Sequence, residues 1–469
     1  MTQTKIEFSS FRDPSGFLFE YKASLYRQVN KRYQTEYDHL MSSGLYDDLI
    51  NQGLMVPHEE VVDIPGPHSE LMYKIIKPEK VDFISYPYEW TILQFRGAAL
   101  TTLRIAKLAL EHGMILKDAS AYNIQFHRGG WTIIDTLSFE RHEEGKPWVA
   151  YKQFCQHFLA PMAIMTYKDA RLGLMSRLFI DGIPLGIASK LLPFHSRLRL
   201  GLIAHIHLHA RSQKRYADKA VNEDMKSGKF NQQSMFKLLE SLRQTVKSLN
   251  TKTEETGWAN YYEITNYSEE AFEEKKVIVE SFIDLVKPNT VWDLGANTGE
   301  FSRIASRKGI FTVAFDVDPS AVAKNYIQVR QDRDLYQLPL IMDLTNPSPA
   351  LGWAHQERKA LVERGPVDMV MALALVHHLA ISNNLPFEKL AKFFVNICEY
   401  LIIEFIPKSD SQVEHLLKTR VDIFDEYTIE GFEKAFSTYF EIIRTQALTD
   451  TDRIIYLMKL KKASSKAIT

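Results

Sequence analysis

Residues 291–301 read VWDLGANTGEF, and this stretch decides how the second half of the chain folds. Apolar residues surround Asp293, and Gly295 and Gly299 then follow, with Asn297 between them. Glycine adopts positive φ values without steric cost, and asparagine tolerates them better than most residues do. The pattern therefore predicts a buried strand that ends abruptly in a tight turn, followed by a helix.

From about residue 257 onward, apolar runs alternate with amphipathic stretches. We predict strands at 290–293, 311–316, 338–342, 367–372, 400–405, 440–446 and 453–459, most of them separated by helices. Alternating strands and helices with apolar strands indicate a parallel, doubly wound α/β sheet. In such sheets, ligands bind at the carboxyl ends of the strands, which is where the glycine turn falls.

Two further aspartates lie at predicted strand ends. Asp316, in VAFDVDPSA, follows the second strand, where an acid can accept hydrogen bonds from both hydroxyl groups of a ribose. Asp343, in LIMDLTNP, ends the third strand, where a side chain could meet the edge of an adenine ring. Each aspartate alone is more often a cap or a turn residue. Their regular placement predicts a nucleoside site.

On these motifs, residues 257–460 resemble the class I S-adenosylmethionine-dependent methyltransferases, and DLGANTG is similar to the first motif of that family. The resemblance implies a Rossmann-like sheet that ends in an antiparallel hairpin and uses S-adenosyl-L-methionine. The implied roles are as follows: the methionine portion is held by Asp293, Gly295, Asn297 and Gly299, the ribose by Asp316 and the adenine by Asp343. A dinucleotide site is the weaker alternative, since it needs G-x-G-x-x-G.

The fourth strand leads into LALVHHLAISNN, where His377 and His378 would meet a methyl acceptor. Methyl transfer needs alignment and a nucleophile freed of its proton, and a histidine can accept that proton. Neighbouring residues of a strand point to opposite faces, so at most one histidine should face the site, and we favour His377. Glu404, at the end of the fifth strand, is the alternative base, or else a cap or salt-bridge partner.

The N-terminal half contains LKDASAYNIQFHRGGWTIID at 116–135. Asp118 and Asn123 precede a predicted hairpin, and Asp135 follows it. This layout resembles kinase-like small-molecule phosphotransferases, in which H-R-D-x-x-x-x-N is followed by a metal-binding aspartate. The resemblance implies an α+β kinase-like fold, with Mg-ATP held by these three residues if activity is retained. A glycine-rich loop is missing and His-Arg is replaced. A degenerate nucleotide- or acceptor-binding module is therefore one alternative, and an unrelated α+β domain in which Asp118 and Asn123 cap turns is the other.

Composition limits the remaining function classes. The 469 residues have a formal net charge of −1 and 45% hydrophobic residues, as expected for a globular chain of two domains. This charge gives no general attraction to nucleic acid or membrane. Without a signal-peptide pattern at the N-terminus and with only Cys155 and Cys398, we predict a cytoplasmic protein with free thiols.

The predicted organisation is a kinase-like domain at 1–215, a polar helical linker at 216–256, a methyltransferase domain at 257–460 and a tail at 461–469. We expect no metal site apart from the kinase-like one. The basic run HSRLRLGL, residues 195–202, predicts a solvated helix face, with contact to an acidic substrate as the alternative.

The sequence therefore predicts an S-adenosylmethionine-dependent methyltransferase acting on a hydroxyl-bearing small molecule or carbohydrate, with an N-terminal domain that selects this acceptor. The alternatives are a bifunctional kinase and methyltransferase, and a non-catalytic nucleotide-binding sensor. No membrane or nucleic-acid partner is expected, and the sequence specifies no oligomeric state.

Overall fold

The structure is a computed structural model that describes residues 4–211, 231–249, 269–418 and 421–462. Its residues divide into two compact units. The first consists of Met1–Thr253 with Gly352–Arg358, and the second of Glu254–Leu351 with Lys359–Thr469.

The first unit begins with an antiparallel five-stranded sheet in the order β1-β2-β3-β5-β4. Its strands are β1 (Lys5–Ile6), β2 (Gly16–Tyr21), β3 (Ser24–Asn30), β4 (His58–Val61) and β5 (Met72–Pro78). Helices α1 (Gln34–Ser42) and α2 (Leu45–Asn51) lie between β3 and β4 in the chain. Lys22 and Ala23 join β2 to β3 with φ values of 48° and 59°, as a two-residue hairpin turn requires.

A long helix, α3 (Ile92–Glu111), follows the sheet and begins with a capping box between Thr91 and Gln94. The next strands are β6 (Met114–Leu116), β7 (Ile124–His127), β8 (Gly130–Ile133) and β9 (Phe139–Arg141). β6 pairs with β9, and β7 pairs with β8 in the hairpin that HRGG predicts. The two pairs therefore bring residues near Asp118 close to residues near Asp135, within an α+β unit.

The remaining described residues of the first unit are mostly helical. Its helices are α4 (Tyr151–Phe154), α5 (Ala160–Tyr167), α6 (Met175–Leu178), α7 (Leu185–Leu191), α8 (Leu200–Leu202) and α9 (Gln232–Ser248), with π-helical turns at Cys155–Leu159 and Ile203–Leu208. We expected a polar linker over 216–256. Residues 216–230 and 250–256 lie outside the described residues, whereas α9 packs against α3 with Met235, Leu239, Leu242 and Val246 buried. This helix thus belongs to the first compact unit, and the exact domain boundaries stay a prediction.

The second unit is built on a seven-stranded sheet in the order β12-β11-β10-β13-β14-β16-β15. Its strands are β10 (Thr290–Leu294), β11 (Phe311–Asp316), β12 (Gln337–Ile341), β13 (Val367–Ala372), β14 (Cys398–Phe405), β15 (Phe440–Ala447) and β16 (Ile454–Leu460). The helices are α10 (Glu269–Val286), α11 (Ser302–Ser306), α12 (Pro319–Asp332), α13 (Phe387–Val395), α14 (Ser411–Leu417) and α15 (Ile429–Ser437).

Strands β10 to β14 are parallel, and β16 runs antiparallel to both β14 and β15. This is the doubly wound Rossmann-like sheet with a terminal antiparallel hairpin that the resemblance to class I methyltransferases predicts. The chain proceeds outward from β10 to β11 and β12 on one side, and from β13 to β14 on the other. The switch point between β10 and β13 is therefore where a ligand crevice is expected.

Burial of the central strands explains why they read as nearly continuous apolar runs. Val291, Met369, Met371, Ile402 and Leu457 belong to one core cluster beneath α10 and α11.

Among the described residues, no helix combines the length and the apolar character needed to cross a bilayer.

Candidate functional site

The turn after β10 has the geometry that its glycines predict. Gly295 and Gly299 both have a φ of 79°, and Asn297 has a φ of 50°. The backbone N–H groups of Gly295 and Ala296 each donate to the Phe315 carbonyl at 2.9 Å, which fixes the turn against β11. A Cβ atom on Gly299 would lie 2.4 Å from Nδ2 of Asn325, so no larger residue fits there without displacement.

A cavity of about 450 Å³ opens at the carboxyl ends of these strands, within the second unit. Of the predicted cofactor-binding residues, Asp293, Gly295, Asn297, Asp316 and Asp343 line it. Gly299 does not; it lies behind the turn against Asn325. Five of the six predicted residues therefore line one cavity, and the sixth, Gly299, shapes the turn.

The two acids nearest the turn share an environment that disfavours charge. Asp293 is buried, and its carboxylate accepts a hydrogen bond from the Ser302 hydroxyl at 2.6 Å. Burial raises the pKa of Asp293 to about 7, and the nearby Asp316 adds to this shift. Burial also raises the pKa of Asp316 to about 6, although the N–H groups of Asn297 and Asp318 donate to it at 2.8 and 2.9 Å. A ligand that supplies an ammonium group or hydroxyl donors would stabilise both carboxylates.

Asp343 lies farther along the cavity, after β12. Its carboxylate accepts hydrogen bonds from the backbone N–H and the hydroxyl group of Thr345, at 2.8 and 2.6 Å. Val317, Met342 and Leu344 provide apolar surface in the same cavity. This combination of apolar walls and an acid suits a flat heterocycle with exocyclic donors.

The histidines are not placed as expected. We assigned them to the end of a strand, but β13 ends at Ala372, and the helical turn His378–Ser382 begins with His377 as its N-cap. His378 lines the cavity, whereas His377 is buried and does not. His378 is therefore the histidine placed to meet a ligand, contrary to our preference for His377. Burial lowers the pKa of His378 to about 4 and that of His377 well below its usual value, so both rings are neutral at pH 7.

Glu404 is fully buried and does not line the cavity. Its Oε2 atom accepts hydrogen bonds from Nζ of Lys275 and from the N–H of Ala374, each at 2.7 Å, and Nη1 of Arg453 lies 3.7 Å from Oε1. Glu404 is thus a salt-bridge partner, the role that the sequence analysis kept as its alternative to a catalytic base.

Lys275, the partner of Glu404, lines the cavity, and the sequence analysis missed it. Burial lowers the pKa of its ammonium group, while Glu404 and, more weakly, Asp293 act to raise it. The signal was present in the sequence, because Lys275 lies at helical spacing between Phe272, Val279 and Phe282 on the buried side of α10. A lysine on an otherwise apolar helix face indicates a buried partner or a site.

In the first unit, the structure brings Asp118, Asn123 and Asp135 together. Asn123 Nδ2 donates to the Ser138 hydroxyl at 3.3 Å, and that hydroxyl donates to Asp135 at 2.5 Å. Asp118 accepts hydrogen bonds from the N–H of Ser120 and from Nε2 of Gln153, at 2.9 and 2.8 Å. Burial raises the pKa of Asp118, and the charge of Asp135 adds to this shift.

These residues do not fit a magnesium ion. Arg27 on β3 forms an ion pair with Asp135, and both side chains are only 14% exposed. The Oδ1 atom of Asp135 also accepts the N–H of Leu137, and Oδ2 accepts the Ser138 hydroxyl. Arg27 thus already supplies the positive charge that a metal would bring. Within the described ranges, no group of three or more His, Cys, Asp or Glu side chains is arranged to hold a metal.

Comparison with solved structures found partial alignments at low identity. One structure of WbdD aligns over 40% of this chain and 40% of its own, with 16% identity and a TM-score of 0.28. A second structure, of the bifunctional kinase–methyltransferase WbdD, gives a TM-score of 0.29. Magnesium protoporphyrin IX methyltransferase (ChlM) from Synechocystis PCC 6803, with bound SAH, gives 17% identity and a TM-score of 0.32. That alignment covers 44% of this chain and 95% of ChlM. The chain thus spans about two fifths of the length of WbdD.

No family model matches the chain. Nodulation protein NoeA of Rhizobium meliloti (strain 1021) is 30% identical over 454 residues, which cover 95% of this chain and 94% of that protein. An alignment of this extent includes most of both compact units. Identity of this extent over nearly the whole of both chains shows that the chain belongs to the same family as nodulation protein NoeA.

Proposed function

We propose that this chain transfers the methyl group of S-adenosylmethionine to a hydroxyl-bearing small molecule or carbohydrate, and that its N-terminal kinase-like unit selects the acceptor. The observation that carries the proposal is the cavity in which Asp293, Asp316 and Asp343 lie at or just after the carboxyl ends of three neighbouring parallel strands. When bound, S-adenosylmethionine supplies an electrophilic methyl group on a sulfonium.

The residues in the cavity fit the parts of that molecule. Asp293 suits the ammonium of the methionine portion, Asp316 the ribose hydroxyls, and Asp343 with Met342 the adenine. Lys275 offers a positive charge within electrostatic reach of Asp293. We therefore assign the methionine carboxylate to Lys275. The ammonium and the carboxylate of the ligand would then each lie beside a protein group of opposite charge, Asp293 and Lys275 respectively.

The part of the cavity near His378 suits an acceptor with hydroxyl groups. Ser382 and Asn383 line it with polar groups, alongside the apolar Leu379 and Leu416. The imidazole of His378 is neutral at pH 7, because burial holds its pKa at about 4. A neutral ring can accept a hydrogen bond from the attacking hydroxyl and take its proton as the new C–O bond forms, when that oxygen becomes strongly acidic. His378 is thus the proposed base, and Glu404 supports the site through Lys275.

The N-terminal unit is proposed to bind the acceptor without phosphorylating it. The ion pair between Arg27 and Asp135 opposes metal-dependent phosphoryl transfer. The buried cluster around Asp118 and Asn123 can still provide hydrogen bonds to a polar ligand. This supports acceptor selection over the bifunctional alternative.

The test is calorimetric titration of the full-length protein with S-adenosylhomocysteine, comparing Asp316→Asn with the exposed Asp332→Asn as a matched control. We expect binding to wild type and control, and an affinity loss of about tenfold to a hundredfold in Asp316→Asn. Absence of binding to the wild type, or equal binding by both variants, would overturn the assignment.

The acceptor step is tested with S-adenosylmethionine labelled on its methyl group and fractionated small molecules and glycans. Once an acceptor is found, His378→Asn should lower single-turnover methyl transfer about a hundredfold or more while leaving S-adenosylhomocysteine affinity unchanged. Unchanged transfer in His378→Asn would remove His378 as the base.

A further inference from the structure

Five large apolar side chains are exposed within one short stretch of the first unit, from the middle of α7 to the start of α8. Phe194, Leu198 and Leu200 are 77%, 76% and 83% exposed, and Ile187 and Leu191 are 36% and 39% exposed. Single exposed apolar residues are ordinary on protein surfaces, but several together usually mark a binding surface. We call residues 187–200 the basic-apolar patch.

The backbone beneath these side chains is held in a fixed conformation. Ser196, between Phe194 and Leu198, is fully buried, and its hydroxyl hydrogen-bonds to the Pro193 carbonyl at 2.7 Å and to Nε2 of His207 at 3.0 Å. The other ring nitrogen of His207 lies 2.8 Å from the Ser189 hydroxyl, which ties α7 to the same histidine. The exposure of the apolar side chains is therefore a property of the folded unit.

Positive charges lie among the apolar side chains. Lys190, Arg197 and Arg199 are exposed, and the Arg197 guanidinium lies 5.7 Å from the ring centroid of Phe194. From residue 182 to residue 211 the sequence contains no Asp or Glu. This stretch thus contributes cations and no acidic side chain, although the whole chain has a net charge of only −1.

We propose that the basic-apolar patch binds the surface of a lipid bilayer that carries anionic headgroups. Apolar side chains that insert at the acyl boundary, with Arg and Lys at headgroup level, are the pattern of peripheral membrane attachment. A protein partner would need an acidic, apolar surface of matching shape, whereas a bilayer meets scattered leucines and arginines without shape complementarity. The proposal adds a membrane partner that the net charge did not predict, and it requires no spanning helix.

The test is cosedimentation of the full-length protein with vesicles of phosphatidylcholine alone and of phosphatidylcholine mixed with phosphatidylglycerol. We expect binding to the mixed vesicles, weakened by salt. Leu198→Ser with Leu200→Ser should lower the partition coefficient about tenfold or more. Arg197→Gln with Arg199→Gln should lower it by roughly fivefold per charge.

Val62→Ser is the matched control, because Val62 is 91% exposed and lies outside the patch. All these side chains are on the surface, so equal melting temperatures are expected and would show that the variants fold. Failure of the wild type to bind the mixed vesicles would overturn the proposal. Vesicle binding that both double variants retain would also overturn it. A wild type that self-associates in solution but does not bind vesicles, and that loses this self-association when Leu198 and Leu200 are changed to serine, would overturn it as well.

Discussion

At the residue scale, the cavity concentrates carboxylates whose charge the protein itself disfavours. Burial raises the pKa of Asp293 to about 7 and that of Asp316 to about 6. A fold gains no stability from placing two such groups side by side, because their ionised forms repel each other. Strongly shifted acids in a cavity are instead typical of a binding or catalytic site.

The pKa of Asp293 predicts how cofactor affinity depends on pH. The carboxyl group is protonated below about pH 7 and then no longer attracts the ligand ammonium, so binding at lower pH must first release a proton. The dissociation constant for S-adenosylhomocysteine should therefore rise as pH falls from 8 to 6, by up to about tenfold per unit below the pKa. Calorimetry across this range measures it.

Asp293→Asn is the control for that titration. Its affinity should be weaker at pH 8 and should change less between pH 8 and pH 6, because the group that releases the proton is absent. A dissociation constant for wild type that is constant over this range would contradict the assignment of the ammonium to Asp293.

Lys275 gives a second prediction at this scale. Lys275→Met removes the proposed partner of the methionine carboxylate, so affinity for S-adenosylhomocysteine should fall about tenfold or more. Affinity for methylthioadenosine, which lacks the amino-acid portion, should change little. Normal methylthioadenosine binding also shows that the variant is folded despite the loss of the Glu404 ion pair. Equal losses for both ligands would assign Lys275 a purely structural role.

At the scale of elements, the turn between β10 and α11 is constrained both by its backbone conformation and by a buried side chain. Gly299 and Gly309 have nearly the same φ, 79° and 78°, but a Cβ atom would meet Asn325 at 2.4 Å in the first case and nothing within 4 Å in the second. Alanine at either position adopts a left-handed conformation. Only at Gly299 does it also collide with a buried side chain.

Gly309→Ala should therefore lower the free energy of unfolding by about 1–2 kcal/mol, and Gly299→Ala by an additional 1–3 kcal/mol or so. Urea denaturation followed by tryptophan fluorescence can measure both, since Trp292 is buried in β10. The Gly309 variant isolates the cost of backbone conformation. Equal losses in the two variants would show that Asn325 moves aside without cost.

The same element shows what a sequence can specify. Apolar runs, glycine spacing and aspartates at strand ends are local patterns, and they predicted the sheet, the turn and five cavity-lining residues. The place of the histidines depended on where β13 ends, and the strand stops at Ala372, before both of them. The alternation of side chains along a strand therefore does not apply to these two residues, and His378 rather than His377 lines the cavity.

Long-range pairs were beyond local patterns. Lys275 and Glu404 lie 129 residues apart, and Arg27 and Asp135 lie 108 apart, yet each pair is in direct contact. Helical periodicity indicated that Lys275 is on a buried face, but its partner follows only from the position of β14 in the sheet. The salt-bridge role of Glu404 thus needed the fold.

At the scale of the whole molecule, two units with different sheets lie in one chain that is homologous to NoeA over nearly its full length. The first unit brings together Asn123 and Asp135, two of the residues predicted for a kinase-like site, but its Asp135 is paired with Arg27. The ion pair lowers the pKa of Asp135 below its usual value, although burial alone would raise it. The charge of this pair therefore contributes to the stability of the unit in place of a metal.

The pair predicts a dependence of stability on pH. Because the folded-state pKa of Asp135 is lowered, its contribution is present above the unfolded pKa of about 4 and is lost as pH falls through the folded value. Arg27→Met leaves a buried carboxylate without its partner, so the free energy of unfolding should fall by roughly 3–5 kcal/mol at pH 7 and by less near pH 4. Denaturant-induced unfolding at pH 7 and at pH 4 measures this change in the free energy of unfolding.

The exposed pair of Arg141 with Glu36 provides the comparison, since Arg141→Met should lower the free energy of unfolding by less than about 1 kcal/mol.

Saturating Mg-ATP should leave the melting temperature of the wild type unchanged, whereas S-adenosylhomocysteine should raise it, because only a ligand that binds the folded state stabilises that state. Stabilisation by Mg-ATP that requires Asp135 would show that Arg27 gives way to a metal, and the bifunctional kinase and methyltransferase would then be the better account. A loss in Arg27→Met no larger than in Arg141→Met would show that the ion pair does not hold the unit together.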